Sequence, residues 1–575
     1  MKFLWSLAPP QPSLAAQLAQ ALGIPPLLAQ CLLNRGLSDP AAIAAFLQPR
    51  LQHLADPFQL PNMAAAVERL LQARARNEAL VIFGDYDVDG VTSTALLLEV
   101  LRPLGWKVHY YLPHRMDEGY GLTQDGVEHC LGRFPVTLLL AVDCGSTAAG
   151  TIALLQQRGV DVIVLDHHQV SSPAPAATAL VNPRLGLTGA TPTPGTELCS
   201  AGLAFKLAHA LLKRGRETGL PGAADFDLRP LLELVALGTV ADIVPLTGEN
   251  RILISAGLER LNSTRRPGLV ALKTVAQSPA LLGTHDVGFQ LAPRLNAAGR
   301  LETAEDALRL LLAGDLAEAL PLAQNLDAQN RERQRIERAI AEELRIALSA
   351  RFNPQTDFAI VEGRPAWHIG VVGIVAARLL QQFYRPTIIL GGDGPLLRGS
   401  GRSIPGFDLA NALRECSDLL VRHGGHAMAA GVCLQPANLE PFRRRLNELA
   451  RRALKPDQLQ PPLHLDAEVS LDQITLPSLA ALDQLQPTGQ GNPPVQFLTR
   501  DLTQQRAPQR IGTQGQHLKL WVTDGQTVYE ALWWGAGNET LPASPFELAF
   551  TPQVNDYRGH RSVQLKVLDW RPSQL

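Results

Sequence analysis

Between residues 79 and 168 the chain repeats one unit: a short apolar run, a polar tip, then a stretch of helical periodicity. Ala79-Leu80-Val81-Ile82-Phe83 runs into GDYDVDGVTS, and an apolar helix pattern follows over residues 91–104. Residues 107–112 end in PHRMDEGYG and precede a helix over 123–131. Residues 136–142 end in Asp143-Cys144-Gly145, with a helix over 148–158, and residues 160–165 end in Asp166-His167-His168. Apolar runs that do not alternate with polar residues suit strands buried on both faces of a parallel sheet. Strands alternating with helices imply a doubly wound α/β layer. In such a sheet ligands bind in the crevice outside the carboxyl ends of the strands. The repeat thus gathers its polar tips on one edge.

Those tips are acidic. Asp85, Asp87 and Asp89 occupy alternate positions where a strand gives way to a helix. Like charges packed there need a cation, and clustered hard oxygens suit Mg²⁺ or Mn²⁺. The plainer alternative is an acidic turn in which Asp caps the helix. Gly90 is expected to let the chain turn tightly into that helix. Asp87, Asp89, Asp143, His167 and Asp242 together can hold two divalent ions, with one carboxylate shared. Two such ions activate a water and stabilise a phosphoester displacement. His168, turned differently from His167, is placed to donate to a phosphoryl oxygen or move a proton; a hydrogen-bonded scaffold role is the alternative. Asp242, in ADIVPL, could by itself simply end a helix. Arg294 and Arg300 flank Asn296 in a glycine-bounded loop, fit for phosphate or for a surface ion pair. GSGRS (399–403) reads as an anion nest. GGHAMAAG (424–431) puts His426 on a glycine-rich turn. Either segment could also be no more than a turn.

At 575 residues the chain is too long for one core, and three or four domains are expected. Residues 1–75 read as a helical lead-in without chemistry, and residues 76–324 as the catalytic α/β domain. Residues 170–196, rich in Pro, Ala and Thr, read as a loop. Residues 325–350 form an exposed connecting helix of mixed charge. Residues 351–455 form a second, smaller α/β domain, and residues 460–575 a small β-barrel built from short strands. Net charge is −2, which excludes a basic mantle, so a polyanion would have to meet local arginines and bound metal. The six scattered cysteines contain no CxxC pair and read as reduced thiols of a cytoplasmic protein. No apolar run reaches transmembrane length and the first residues do not form a signal peptide, so no membrane partner is expected.

DYDVDG, VDCG, DHH and ADIVPL, in this order, resemble the DHH phosphoesterase superfamily. WHIGVVGIVAARL, GSGRS and GGHAMAAG resemble its companion DHHA1 domain. LAPRLNAAGRLE and PTGQGNPPVQF narrow the resemblance, over residues 55–575, to the bacterial RecJ exonucleases. It implies a parallel-sheet DHH domain joined by a long helix to a smaller α/β DHHA1 domain, followed by an OB-like β-barrel. It also implies hydrolysis of single-stranded DNA from its 5′ end to mononucleotides with two Mn²⁺ or Mg²⁺ ions. By the same resemblance Asp87, Asp89, Asp143, His167 and Asp242 are metal ligands, Asp85 is close support for catalysis, and His168 acts on the scissile phosphate. Arg115 and Tyr120 meet the 5′-terminal nucleotide, Ser400 and Arg402 hold its phosphate, and Arg294, Asn296, Arg300 and His426 line the substrate path. A monomer working with single-strand-binding protein and a RecQ-type helicase in recombination and repair is implied. Residues 460–575 carry 8 Lys and Arg against 11 Asp and Glu, so a DNA groove there would be local. Trp521, Trp533 and Trp534 either stack bases or fill the barrel core. Two alternatives remain: a phosphodiesterase for very short oligonucleotides or cyclic dinucleotides, whose known forms lack the trailing β-domain, and a DNA-replication scaffold without metals.

Overall fold

The computed structural model describes residues 3–115, 117–185, 195–392, 394–537, 539 and 544–573. The chain divides into two compact units, one of Gln48–Ile336 with Pro487–Asn492 and one of Met1–Leu47, Glu337–Gln486 and Pro493–Leu575. The expected lead-in over 1–75 is therefore not one piece. Strand β1 (Leu4–Leu7) opens the described chain, and helices Pro12–Leu22, Pro26–Asn34 and Pro40–Leu47 follow, each begun by a proline whose fixed φ suits a first turn. Their Leu28, Leu32 and Ile43 share a core with Phe497, Phe550 and Leu565 near the other end of the sequence. Helix Met63–Ala75 instead packs in the core of the first α/β sheet. Apolar periodicity marks two of these helices, near residues 14–22 and 41–47, but it does not name the distant surface that buries them.

The catalytic sheet consists of β2 (Ala79–Phe83), β3 (Lys107–Tyr111), β4 (Leu138–Val142), β5 (Asp161–Leu165) and β6 (Ala179–Val181). All pairings are parallel, in the order β3-β2-β4-β5-β6. Leu80, Ile82, Leu138, Leu140 and Ile163 face one helical layer, formed by Met63–Ala75, Val88–Leu101 and Ser200–Thr218. Val81, Phe83, Leu139, Ala141 and Val162 face Val127, Cys130, Ile152 and Leu155 of helices Gln124–Arg133 and Ala149–Gln157. Both faces are covered, which explains the unbroken apolar runs. Strand order reverses between β2 and β4, the position where ligands bind in such sheets. Strand β6 lies inside the stretch expected to be loop; three apolar residues between Thr178 and Asn182 give too little pattern to read. Residues 186–194 of that stretch lie outside the described residues.

Three further expectations are corrected. The helix after β2 starts at Val88, three residues before the apolar pattern begins. Residues 288–300 are not a loop: a π-turn (Val287–Leu291) leads into helix Ala292–Leu301. Their glycines looked like turn signals, but Gly299 lies inside the helix and permits close packing. A Cβ there would sit 2.5 Å from the Tyr86 carbonyl oxygen. The long charged helix runs from Leu316 to Arg351, starting before residue 325 and containing Pro321. It is not exposed throughout, since Ala323, Leu326, Asp327, Asn330 and Leu344 are buried.

In the other unit, β7 (Ile360–Gly363), β8 (Thr387–Gly391), β9 (Leu397–Arg402), β10 (Arg422–Gly425) and β11 (Ala429–Leu434) form a mixed sheet ordered β10-β11-β9-β8-β7. The expected anion nest at 399–403 is instead strand β9, flanked by β8 and β11, so its backbone N–H groups belong to ladders. Its glycines answer crowding: a Cβ at Gly399 would meet the Ile389 oxygen at 2.5 Å. β12 (Pro462–Leu465) pairs in parallel with β1. β13 (Ala467–Glu468), β14 (Phe497–Gln504), β15 (Gln509–Ile511), β16 (His517–Thr523), β17 (Val528–Trp533), β18 (Phe546–Tyr557) and β19 (His560–Pro572) make the last sheet. The pairing of β14 with β16 closes the ring β14-β18-β19-β17-β16, a five-stranded barrel. Trp533 packs against that core and stands edge-on to Trp570, whereas Trp534 is exposed beside His517. Trp521 lies beneath the Arg506 guanidinium, 3.4 Å from its ring centre. No single helix among the described residues is long and apolar enough to cross a membrane. All six cysteines are free.

Candidate active site

Three loops leaving the catalytic sheet and two helix ends build one acidic centre. After β2 the chain passes Asp85 and enters its helix with Asp87 as N-cap, whose Oδ1 accepts from the N–H groups of Asp89 (3.0 Å) and Gly90 (3.1 Å). The capping alternative and the ligand reading therefore meet in one residue. Gly90 is already inside the helix and does not make the turn. It is glycine because a Cβ would lie 2.6–2.8 Å from the backbone of Asp85. The Asn296 side-chain oxygen accepts from Val88 N–H at 3.1 Å and fixes the helix start from the opposite side.

Asp89 is buried, and its two oxygens accept from Ser200 N–H (2.7 Å) and Ala201 N–H (2.8 Å), the first turn of helix Ser200–Thr218. A helix N-terminus is a natural seat for a carboxylate. Ser200 Oγ donates to Asp143 Oδ1 at 2.8 Å. Asp143 follows β4 with φ of +64°, a left-handed conformation that Asp tolerates better than most residues. Asp242 ends helix Leu232–Ala241. His167 Nε2 stands 3.4 Å from Asp242 Oδ2, 3.5 Å from Asp143 Oδ1 and 3.9 Å from Asp89 Oδ2.

Asp166, which was not among the expected site residues, precedes the adjacent histidines and bonds the ring of the second. Asp166 Oδ1 accepts from His168 Nδ1 at 2.8 Å and from the backbone N–H of His167 and His168, while Oδ2 accepts from Ser146 N–H. Asn182, at the end of β6, donates to the His168 carbonyl and to Ser146 Oγ, both at 2.8 Å. Burial opposes charge on His168, but Asp166 outweighs it and pushes the imidazole up to about 9. Burial, with His168 close by, holds His167 down at about 3, so His167 is neutral and able to ligate. Asp166 thus holds His168 as a cation, while burial keeps His167 neutral.

Burial first, and neighbouring carboxylates second, raise the acids: Asp89 to about 6, Asp242 to about 9, and Asp85 and Asp143 well above the ordinary range. Both Asp85 oxygens, Asp242 Oδ2 and His167 Nε2 are buried without a hydrogen-bond partner. Buried polar atoms are rarely left so, and here they point to an ion. Among the described residues three trios have donor atoms within 4.8 Å of one another: Asp85-Asp87-Asp143, Asp89-His167-Asp242 and Asp143-His167-His168. Asp143 belongs to two of them. Carboxylate oxygens, the ligands that suit Mn²⁺ and Mg²⁺, dominate the donor set, with imidazole added.

The rim follows the sequence reading in part. Tyr120 is exposed, and its hydroxyl lies 3.1 Å from His168 Nε2. The Arg115 guanidinium lies over the Tyr86 ring, 5.0 Å from its centre. Their loop is anchored by buried Glu118, which accepts from Tyr111 Oη and His129 Nδ1 at 2.6 Å and from His114 N–H at 3.0 Å. Arg294 donates to Asp327 (2.9 Å) and to the Gln290 carbonyl (2.6 Å), a structural ion pair. Arg300 is on the same helix as Asn296. Ser400, Arg402 and His426 belong to the other unit. There Arg402 donates to Ser400 Oγ at 2.8 Å on β9, near the start of helix Val372–Phe383, where a Cβ on Gly373 would be 3.1 Å from Ser400 Oγ. His426 sits in the hairpin turn between β10 and β11. Asp166, Ser146, Asn182 and Ser200 were the omissions. Asp166 had a local signal, as the first polar residue after an apolar strand, and so had Ser200, as a small polar residue opening an apolar helix.

This fold and acidic edge define a DHH-type phosphoesterase with its DHHA1 companion. Family models match residues 79–239 as the DHH family N-terminal domain, 356–452 as the DHHA1 domain and 465–569 as the RecJ OB domain. The chain is 38% identical over 565 residues to the single-stranded-DNA-specific exonuclease RecJ of Dickeya dadantii, covering 95% of this chain and 96% of that protein. The crystal structure of RecJ from Thermus thermophilus in complex with Mn²⁺ superposes with a TM-score of 0.84 at 32% identity, over 99% of this chain and 80% of that one. The Mg²⁺ complex from the same organism gives 0.78 at 30% identity, over 99% and 79%. The chain belongs to the RecJ family.

Proposed function

We propose that this protein is a metal-dependent exonuclease that removes mononucleotides from the 5′ end of single-stranded DNA. The observation that carries it is the set of unpartnered buried atoms on Asp85, Asp242 and His167, gathered around the shared carboxylate of Asp143. Asp85, Asp87 and Asp143 would hold one divalent cation, and Asp89, His167 and Asp242, with Asp143, the other. When bound, Mn²⁺ or Mg²⁺ supplies water activation and neutralises charge on the phosphodiester. The chain's own residues do the rest. Ser200 and Ala201 hold Asp89, Ser200 also holds Asp143, and Asp166 keeps His168 protonated at Nδ1 with Nε2 aimed toward Tyr120. From there His168 donates a charge-assisted hydrogen bond to a phosphoryl oxygen. Arg115 and Tyr120 meet the terminal nucleotide, Asn296 fixes the Asp87 loop, and Ser400 with Arg402 binds the 5′-phosphate. Arg294, Arg300 and His426 serve the strand more remotely. Action as a cytoplasmic monomer with single-strand-binding protein and a RecQ-type helicase, in recombination and repair, accompanies this reading.

The test is an oligonucleotide labelled differently at its two ends, given with Mn²⁺ or Mg²⁺ as a single strand, as a duplex and as a dinucleotide. Mononucleotides released from the 5′ end of the long single strand alone, and lost with EDTA, support the reading. Rapid cleavage of the dinucleotide with the long strand untouched assigns the protein to short substrates. Tight single-strand binding without cleavage marks a scaffold.

A further inference from the structure

The turn carrying Asp242 is strained. Ile243, a β-branched residue, takes a left-handed φ of +58° and exposes its side chain, so nothing about Ile243 itself favours that conformation. Such conformations persist only where the surroundings over-determine them. Part of that restraint is local, since the buried Asn250 donates to the Pro245 carbonyl at 2.9 Å. The rest arrives from far along the sequence. Residues Pro487–Asn492 (PTGQGN) lie within the range matched by the OB model, yet they cluster with the catalytic unit.

This segment is a strap over the Asp242 loop. The Gln490 carbonyl accepts from Leu246 N–H at 2.7 Å. Buried Arg251 donates to the Pro487 carbonyl, and Thr284 Oγ1 donates to the Thr488 carbonyl at 2.6 Å. The strap is closed on itself by a reciprocal bridge between Gly489 and Asn492 and by Asn492 Nδ2 on the Pro487 carbonyl at 2.9 Å. Its glycines allow the approach. A Cβ on Gly489 would lie 2.8 Å from Leu246 Cδ1, and one on Gly491, at φ +72°, 2.9 Å from Pro245 Cβ.

We infer that residues 487–492 are a positioning element for Asp242: the strap clamps Pro245 and Leu246, holds the Ile243 turn in its strained form, and so sets the direction of the Asp242 carboxylate. The inference rests on Asp242 as a metal ligand. It makes metal affinity depend on a segment of the C-terminal sequence that contributes no ligand of its own. Groups that orient ligands without touching the ion typically change metal affinity by about 10–100-fold.

The experiment compares the full-length protein with Gly491→Val, Thr284→Val and Asp242→Ala. Mn²⁺ binding is measured by calorimetry without DNA, beside thermal melts and single-strand kinetics at saturating Mn²⁺. Gly491→Val is expected to weaken Mn²⁺ binding at least about tenfold, with kcat at saturating Mn²⁺ recovering to within a small factor and KM for DNA unchanged. Thr284→Val, which loosens only the far end of the strap, weakens it by about two- to tenfold. A Gly491→Val protein that melts lower but binds Mn²⁺ as tightly as the parent overturns the inference, because the strap is then only a staple. If that variant does not fold, Thr284→Val decides in the same way. Unchanged Mn²⁺ binding in Asp242→Ala sinks the ligand assignment itself, a different failure from that of the strap.

Discussion

The tips of β2, β4 and β5 and the middle of β9 are both polar, but they are finished to different degrees. At the first, carboxylates face one another, and several buried atoms lack any partner. At the second, Arg402 already donates to Ser400 Oγ and to the Gly401 carbonyl, each at 2.8 Å. The first arrangement is unfavourable without a cation, because burial and mutual repulsion both oppose its charge. The second is stable as it stands and can exchange an internal hydrogen bond for one to an anion. A site for a resident ion is recognised by what it leaves unsatisfied, and a site for a passing ligand by which satisfied groups can turn.

The sharpest way to break this contrast is Asp143→Asn. It should reduce cleavage to the EDTA background and, in EDTA, raise the melting temperature by about 2–4 °C through relief of repulsion. Ser400→Ala should give no such gain; a destabilised Asp143→Asn protein would mean that the carboxylates are not strained against one another. Next in size, Arg402→Ala should raise KM for 5′-phosphorylated single strands by about 10–100-fold while leaving 5′-hydroxyl strands and Mn²⁺ affinity little changed. An equal loss on both substrates would remove the phosphate role. The smallest effect is on pH. Asp242, ordinarily near 3.8, and His168, ordinarily near 6.5, are both raised to about 9 in the fold. Between pH 6.5 and 9 the folded protein therefore holds protons that the unfolded chain has released, and metal-free stability falls as pH rises. His167, lowered to about 3, acts in the opposite direction only below 6.5. Melts in EDTA should decline across that window, and the gain from Mn²⁺ should be larger at pH 8.5 than at 6.5. A flat EDTA profile would show that the cluster does not hold those protons.

Much of this was legible in the chain itself. The runs ending at Phe83, Val142 and Leu165 announce buried parallel strands, so Asp85, Asp143 and Asp166-His167-His168 had to share one edge. Asp242 was harder to place, because a helix end 76 residues beyond Asp166 has no periodic tie to the sheet. Glycine was misread wherever it serves contact and not turning. Gly90, Gly299, Gly399 and Gly401 sit in regular structure against a neighbouring backbone or side chain, and a single sequence does not distinguish crowding from a bend.

The sequence by itself determined the alternation of strands and helices, the acidic edge and the residue types that can hold metal, because these follow from local periodicity and charge. Only the tertiary structure decided that Ser200 seats Asp89 and Asp143, that Asp166 charges His168 while burial keeps His167 neutral, and that residues 487–492 reach the Asp242 loop. The first and last are pairings between chain segments tens to hundreds of residues apart, and the charges of the two histidines depend on how deeply the packed fold buries them. They are fixed by how faces pack and which buried atoms must be satisfied, and no local pattern encodes them.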